Sequence, residues 1–292
     1  AHEGGGNMDR KKVLKWFQSV LNTDAIKIFH NAMYDVCWLR SLGLTIKGKI
    51  VDTMIASAIV DENQLRYDLN NCSRRYIGQG KDEAALYMAA KEWGVDAKAE
   101  MYKLPAMYVG SYAEKDAEIT YELWQELKKE ILHQDIQSIF ELETELFPCL
   151  IDMRFLGVRV DVEAAHQLKE QLLAEEKECL KLVKEETGVD IQIWAARSIA
   201  QVFEKLKLPF DRTEKTQAPS FTKNFLQNHP HPLVKKIARA REINKAHTTF
   251  IDTILKHSYK GRIHAEINQL RSDNGGTVTG RFSYANPNLQ QI

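Results

Sequence analysis

Long hydrophobic runs are missing from this 292-residue chain. The best apolar stretch, Met54 to Val60, falls far short of the roughly 20 residues a membrane-crossing helix needs, so no membrane partner is expected. Cysteine is scarce: Cys37, Cys72, Cys149 and Cys179 lie far apart with no CxxC pair. That excludes a disulfide scaffold and a cysteine-built zinc site, and it fits reduced thiols in a cytoplasmic protein. Seven prolines and fifteen glycines are too few for a collagen-like or Pro/Gly-rich disordered chain. No internal repeat or low-complexity tract is visible, and no signal-peptide pattern opens the chain. Nor is there an excess of either charge, with 40 Lys plus Arg against 40 Asp plus Glu.

The balance hides two opposed parts. Residues 231–292 hold ten of the basic residues and only four acids (Glu242, Asp252, Glu266, Asp273), which leaves 30 basic and 36 acidic residues before them. A mildly acidic body thus joins a basic C-terminal segment. That pattern suits a polyanion at one end, or simply a solvated helix face. The length fits about two domains, each able to bury a core.

The first half alternates strand and helix signals. Asp9 is placed to cap a helix using Val13, Leu14, Phe17, Val20 and Leu21, and AIKIFH (25–30) reads as a buried strand. Asn31 opens a helix ending near Gly43. Further helices run to Val60 from a cap at Asp52 or Thr53, from Asp68 to Gly78, from Asp82 to Gly94, and from about Ser111 to His133. The fold class is therefore α/β with few strands, part of the sheet being absent. The second half is mainly helical, with helices over 140–156, 162–186, 194–206, 221–228 and 231–257 and a polar loop over 211–219. At the end RIHAEINQL, DNGG and TVTGRFS read as a β-hairpin. The domain boundary falls near 134–138.

Two carboxylate motifs stand out. Asn31-Ala-Met-Tyr-Asp35 follows a strand directly, and Tyr112-Ala-Glu-Lys-Asp116 opens a long helix. The i, i+4 spacing puts both named side chains of each motif on one helix face. Asp35 projects over the C-terminal edge of its strand, where α/β active sites gather. A tyrosine one turn from an aspartate is placed to aim a water beside a metal that the carboxylate holds. Two-metal phosphodiester hydrolysis asks for that chemistry. Each motif alone reads as well as a helix cap or dipole partner.

HNAMYD, VDTM and YAEKDA together resemble the second and third motifs of the DEDDy 3′→5′ exonucleases, above all the proofreading domain of family A (DNA polymerase I-like) DNA polymerases. The resemblance implies a ribonuclease H-like exonuclease domain over 1–134. Asp35 and Asp116 would bind Mg²⁺ or Mn²⁺ in a two-metal site, Tyr112 would orient water, and Asn31 would contact DNA. The family's first motif, a DxE on the first strand, is not found. TGRFS (279–283) with NPNLQ (286–290) is similar to the family A polymerase motif, and Arg241…Lys245-Ala-His-Thr-Thr-Phe to its thumb helix. The resemblance implies a family A polymerase portion over 135–292, with a thumb over about 140–260 and the start of the palm over 261–292.

The residues themselves agree. Arg241 and Lys245 share one helical face, as phosphate contacts should, and Thr248 and Thr249 add hydroxyls. Arg281, Asn288 and Gln290 are of the types that reach minor-groove acceptors, which every correct base pair presents alike. The expectation is an internal fragment of a DNA-directed DNA polymerase of phage or bacterial style, with 3′→5′ proofreading and neither active site complete. It would be unable to polymerise alone. Its partners would be primer-template DNA and, in the parent protein, deoxynucleoside triphosphates. The short link before Trp194 predicts no thioredoxin-type processivity partner, and a monomer is expected. The alternatives are a stand-alone nuclease resembling RNase D, which has no reason to carry TGRFS…NPNLQ, and a non-catalytic DNA-binding module. His247, His257 and His264 read as polar surface or phosphate-side groups, the five tryptophans as mostly core anchors, Gly4–Gly6 as a loop, and Asp161 and Asp190 as caps or ion-pair partners.

Overall fold

The computed structural model describes residues 8–272 and 275–291. The Gly4–Gly6 loop, Asp273 and Asn274 of the expected hairpin turn, and Ile292 lie outside the described residues. Asp9 caps α1 (Arg10–Leu21), accepting from the Lys12 amide at 2.9 Å. β1 (Lys27–Phe29) leads through Asn31 into α2 (Ala32–Ser41), and β2 (Ile50–Asp52) returns parallel to β1, Phe29 opposite Asp52. Parallel strands need a crossover, and α2 provides it. α3 (Thr53–Val60) and α4 (Leu69–Ile77) start on the carboxylates of Asp52 and Asp68. α5 (Ala84–Trp93) ends on Gly94 in the left-handed conformation.

α6 runs from Ala106 to His133. It begins upstream of the expected Ser111, because Pro105 has no N–H for an earlier turn and its ring fixes a φ suited to helix entry. α7 (Gln137–Leu156) accommodates Pro148 in its interior. Val51, Ala56, Tyr67, Cys72, Ile119, Leu123 and Leu127 form the centre of a core between the strand pair, α3, α4 and α6.

The next stretch has its own core. β3 (Val158–Arg159) precedes α8 (Val162–Thr187), which Asp161 caps by accepting from the Ala164 amide at 2.9 Å. Asp190 pairs with Lys184 at 2.9 Å, so both aspartates act structurally as expected. α9 (Ala196–Lys205) is followed by β4 (Asp211–Arg212) and β5 (Pro219–Ser220), which pair where a plain loop was expected. α10 (Lys223–Asn228) leads to α11 (Pro232–Lys245), a π-helical segment over Ala246–Ile251, and α12 (Asp252–His257). The single helix expected over 231–257 therefore carries a π segment. Phe203 lies at the centre of this core, its ring 4.9 Å from that of Phe221. β6 (Ser258–Tyr259) and β7 (Arg262–Ile263) complete an antiparallel sheet in the order β3-β7-β6. Gly157 enters that sheet at φ +67°, where a Cβ would meet the Ile263 carbonyl oxygen at 2.7 Å.

The terminal hairpin differs from expectation. β8 (Glu266–Asn268) pairs with β9 (Ser283–Ala285), and Arg262–Ile263 belongs to the preceding sheet instead. Residues Thr277–Arg281 form a turn, in which Gly280 has φ +70° and the Thr277 hydroxyl donates to the Arg281 carbonyl at 2.8 Å. That local bond competes with a strand ladder.

The chain divides into two compact units. One comprises the residues up to Leu156 with Ala265–Gln290, the other Gly157–His264. The sequence suggested a division near 134–138; the compact units follow packing, and α7 packs against α2, α3 and β2. The tryptophan expectation needs correction. Trp124 is buried, but Trp16, Trp38, Trp93 and Trp194 are 65%, 58%, 42% and 60% exposed. An indole at helical spacing marks a face, and the face here is open to solvent.

Candidate functional site

The end of β1 builds one wall of a cleft. Asn31 adopts φ 66°, ψ 53°, turning the chain from strand into α2. Asparagine tolerates this left-handed conformation better than most residues. The buried Asp52 carboxylate holds that junction, accepting from the amides of Asn31 (3.0 Å), Ala32 (2.7 Å) and Met54 (2.8 Å). His30 supports it from beneath. Its Nε2–H donates to the Tyr67 carbonyl at 2.8 Å, leaving Nδ1 as an acceptor 2.8 Å from Thr53 Oγ1. Burial drives the His30 pKa down to about 4. Burial also raises both Asp35 and Asp52 to about 6, with the neighbouring Asp52 charge adding to the rise at Asp35.

Asp35 stands one turn into α2, half-buried, and faces the same cleft as Tyr112 and Asp116 on α6. The cleft encloses about 1160 Å³. Tyr34 and Trp38 edge it, 60% and 58% exposed, with ring centroids 6.3 Å apart. Lys81, which the sequence reading did not single out, reaches into the Tyr112/Asp116 pair. Its Nζ lies 2.7 Å from Asp116 Oδ2 and 3.3 Å from Tyr112 Oη. Asp116 Oδ1 is buried and has no hydrogen-bond partner among the described residues. An anionic oxygen left without a donor in such a place suits a hard cation. No group of three or more His, Cys, Asp or Glu positioned for a metal occurs among the described residues. Asp35 and Asp116 line this cleft together, and the unpartnered Asp116 Oδ1 is the oxygen there open to a cation.

The expected DNA-contact residues are divided between the two units. In the second unit, Arg241 Nε donates to the Ile193 carbonyl at 2.6 Å and Nη1 to the Phe221 carbonyl at 2.9 Å, with the guanidinium 5.3 Å from the Trp194 ring centroid. This guanidinium therefore staples loops to α11. Burial lowers its pKa. Lys245, Thr248 and Thr249 are exposed, and the Thr248 hydroxyl donates back to Asn244 O at 2.7 Å. Arg281, Asn288 and Gln290 lie at the terminal hairpin of the first unit, all exposed. Gln290 Nε2 donates to Phe282 O at 3.0 Å, and the Asn288 side chain accepts from the Gln290 amide at 3.1 Å.

His247 was expected as a polar surface or phosphate-side group. It is instead buried in the π segment, with Nε2 2.6 Å from Glu176 Oε2. Glu176 also accepts from Asn244, whose own side-chain oxygen accepts from Trp194 Nε1. The partner lies 71 positions away, beyond any motif spacing.

The sequence of residues 162–292 matches the model of DNA polymerase family A, and residues 6–132 match that of the 3′-5′ exonuclease domain. The two matches follow one another along the chain, a segment similar to the 3′-5′ exonuclease domain ahead of one similar to DNA polymerase family A. It is 33% identical to a DNA-directed DNA polymerase of Pseudomonas phage M6, over 99% of this chain and 46% of that relative. It is 28% identical to DNA polymerase I of Synechocystis, over 91% of this chain and 27% of that protein. The chain thus spans at most about half the length of these curated relatives. Among solved structures, the POL domain of Pol1 from M. smegmatis, in complex with DNA primer-template and dNTP, covers 98% of the chain at a TM-score of 0.73 and 21% identity. That likeness establishes the fold. No helix among the described residues is long and apolar enough to cross a membrane.

Proposed function

We propose that the protein to which this chain belongs is a DNA-directed DNA polymerase with 3′→5′ proofreading, and that this chain contributes the exonuclease cleft and the thumb. The observation that carries the reading is the convergence of Asp35, Tyr112 and Asp116, from two different helices, on one cleft within the exonuclease-matched segment. The substrates are primer-template DNA and deoxynucleoside triphosphates. The protein works as a monomer in the cytoplasm, without a processivity subunit docked between α8 and α9.

Asp35 and Asp116, through its open Oδ1, would hold Mg²⁺ or Mn²⁺. When bound, such ions neutralise the attacked phosphate and lower the pKa of the attacking water. The chain's own residues do the positioning. Tyr112 presents its hydroxyl beside Asp116 to orient the water, and Asn31, next to the cleft floor, contacts the nucleotide being removed. Lys245, Thr248 and Thr249 face solvent as backbone contacts to the duplex. Arg281, Asn288 and Gln290 probe the minor groove at the primer end. Arg241 contributes to DNA contact by holding the loops that flank α11.

A 5′-labelled primer-template with a terminal mismatch tests this in the full-length protein with Mg²⁺. The mismatched nucleotide is removed and the primer is then extended. Combining Asp35→Ala and Asp116→Ala abolishes removal and leaves extension from a matched end intact. Undiminished removal by the double variant sinks the exonuclease assignment.

A further inference from the structure

Lys81 lies in the 78–83 connection between α4 and α5, and two hydrogen bonds and one close approach fix where that connection runs. The Lys81 amide donates to Asn70 Oδ1 of α4 at 3.0 Å. Gln79 Nε2 donates to Glu122 Oε2 of α6 at 3.1 Å. Gly80 passes so close to α4 that a Cβ there would stand 2.8 Å from Arg74 Nε and 3.2 Å from Asn70 Oδ1. The backbone is thus clamped between two helices, and the lysine side chain, 15% exposed, is delivered onto α6. There its ammonium meets Asp116 Oδ2 at 2.7 Å and Tyr112 Oη at 3.3 Å, and lies 5.2 Å from the Tyr112 ring centroid.

A surface lysine gains little from an ion pair. This one is ordered from both ends, and its two partners are the residues to which the cleft's chemistry has been assigned. Because one ammonium touches both, it sets the tyrosine hydroxyl and the carboxylate in a single mutual arrangement. Because it occupies Oδ2, it leaves Oδ1 as the open oxygen of Asp116. We propose that Lys81 is a positioning residue of the exonuclease cleft: it locks Tyr112 against Asp116 and restricts Asp116 to presenting Oδ1 to a divalent cation. This rests on the exonuclease reading above.

The ammonium has a second, opposite consequence. A fixed positive charge on the same carboxylate repels a divalent cation. Removing it therefore favours metal binding while it releases the tyrosine. A residue with only a structural role does not separate those two effects.

The experiment uses the full-length protein with a single-stranded oligonucleotide, and compares wild type, Lys81→Met, Lys81→Arg and Asp116→Ala. Lys81→Met lowers kcat for 3′ excision about tenfold or more with KM for DNA within about twofold. Mn²⁺ binding without DNA, followed by the electron-spin signal of the free ion, tightens about tenfold. Lys81→Arg keeps a cation in place and recovers a good part of kcat. A wild-type kcat in Lys81→Met, or unchanged Mn²⁺ affinity, overturns the proposal. If Lys81→Met lowers thermal stability, Asn70→Ala and Gln79→Ala, which loosen the clamp and keep the lysine, must reproduce the kcat loss, and failure to do so also overturns it. Absence of excision by wild type would instead refute the exonuclease reading, a separate outcome.

Discussion

At the scale of single residues, His30 makes the sharpest claim about pH. Its folded pKa is depressed to about 4, against an ordinary 6.5, because the ring is buried between a hydroxyl and a carbonyl. A group of this kind binds its proton more readily when the chain is unfolded. Its contribution is therefore complete above pH 6.5 and is lost as pH falls toward 4. Relative to His30→Gln, the wild type is expected to lose about 2–3 kcal/mol of unfolding free energy between pH 7 and 4.5. Urea titrations at both pH values check this. Asp35 and Asp52 run the other way. Their raised pKa values make their contribution complete below about 3.8 and lost as pH rises through 6, so the comparison with the His30 variant is needed to isolate the histidine. The HNAMYD and YAEKDA motifs made Asp35, Tyr112 and Asp116 legible in the sequence, since each motif sits within one helical turn. Lys81 was not legible. It joins the pair from 31 and 35 positions away, through a loop whose path is set by Asn70 and Glu122, and no periodicity encodes such a path.

At the scale of elements, caps and glycines made most helices readable before any coordinates, as Asp9, Asp52, Asp68 and Asp161 each accept from an amide in the first turn. The π segment was unreadable, because its sequence, AHTTFI, carries no cap or breaker. Its anchor is tertiary, the buried His247–Glu176 contact of 2.6 Å to α8. Glu176→Ala leaves both a buried imidazole and the Asn244 amide without their acceptor. It should lower unfolding free energy by about 3 kcal/mol. Adding His247→Ala should cost less than it does in the wild type, and a double-mutant cycle by urea unfolding measures the coupling. Fully additive losses would mean that the contact does not anchor the segment. The hairpin lesson is similar. The pairing of Ser283–Ala285 in place of TVTGRFS follows from the turn bond between Thr277 and Arg281, a side-chain choice that strand propensity does not contain.

At the scale of the whole molecule, zero net charge joins an acidic majority to a basic end. Duplex binding is therefore expected to weaken steeply with salt despite the neutral total. Lys245→Ala should lower the slope of log affinity against log salt by about 1 without changing sequence preference, whereas Arg241→Ala should reduce thermal stability as well as binding. Fluorescence anisotropy over a salt series, with a melting curve for each variant, separates the two effects. The division into two cores was legible from length, while the return of residues 265–290 to the first unit was not, because only packing brings β8, with β9 paired to it, back to α7. The exposed indoles carry an optical consequence. With four of five tryptophans open to water, native emission already resembles that of the unfolded chain, and unfolding shifts it little. Trp38 stands in the cleft wall, so quenching by a single-stranded oligonucleotide reads cleft occupancy without a label. Trp38→Phe serves as the reference against which that quenching is judged.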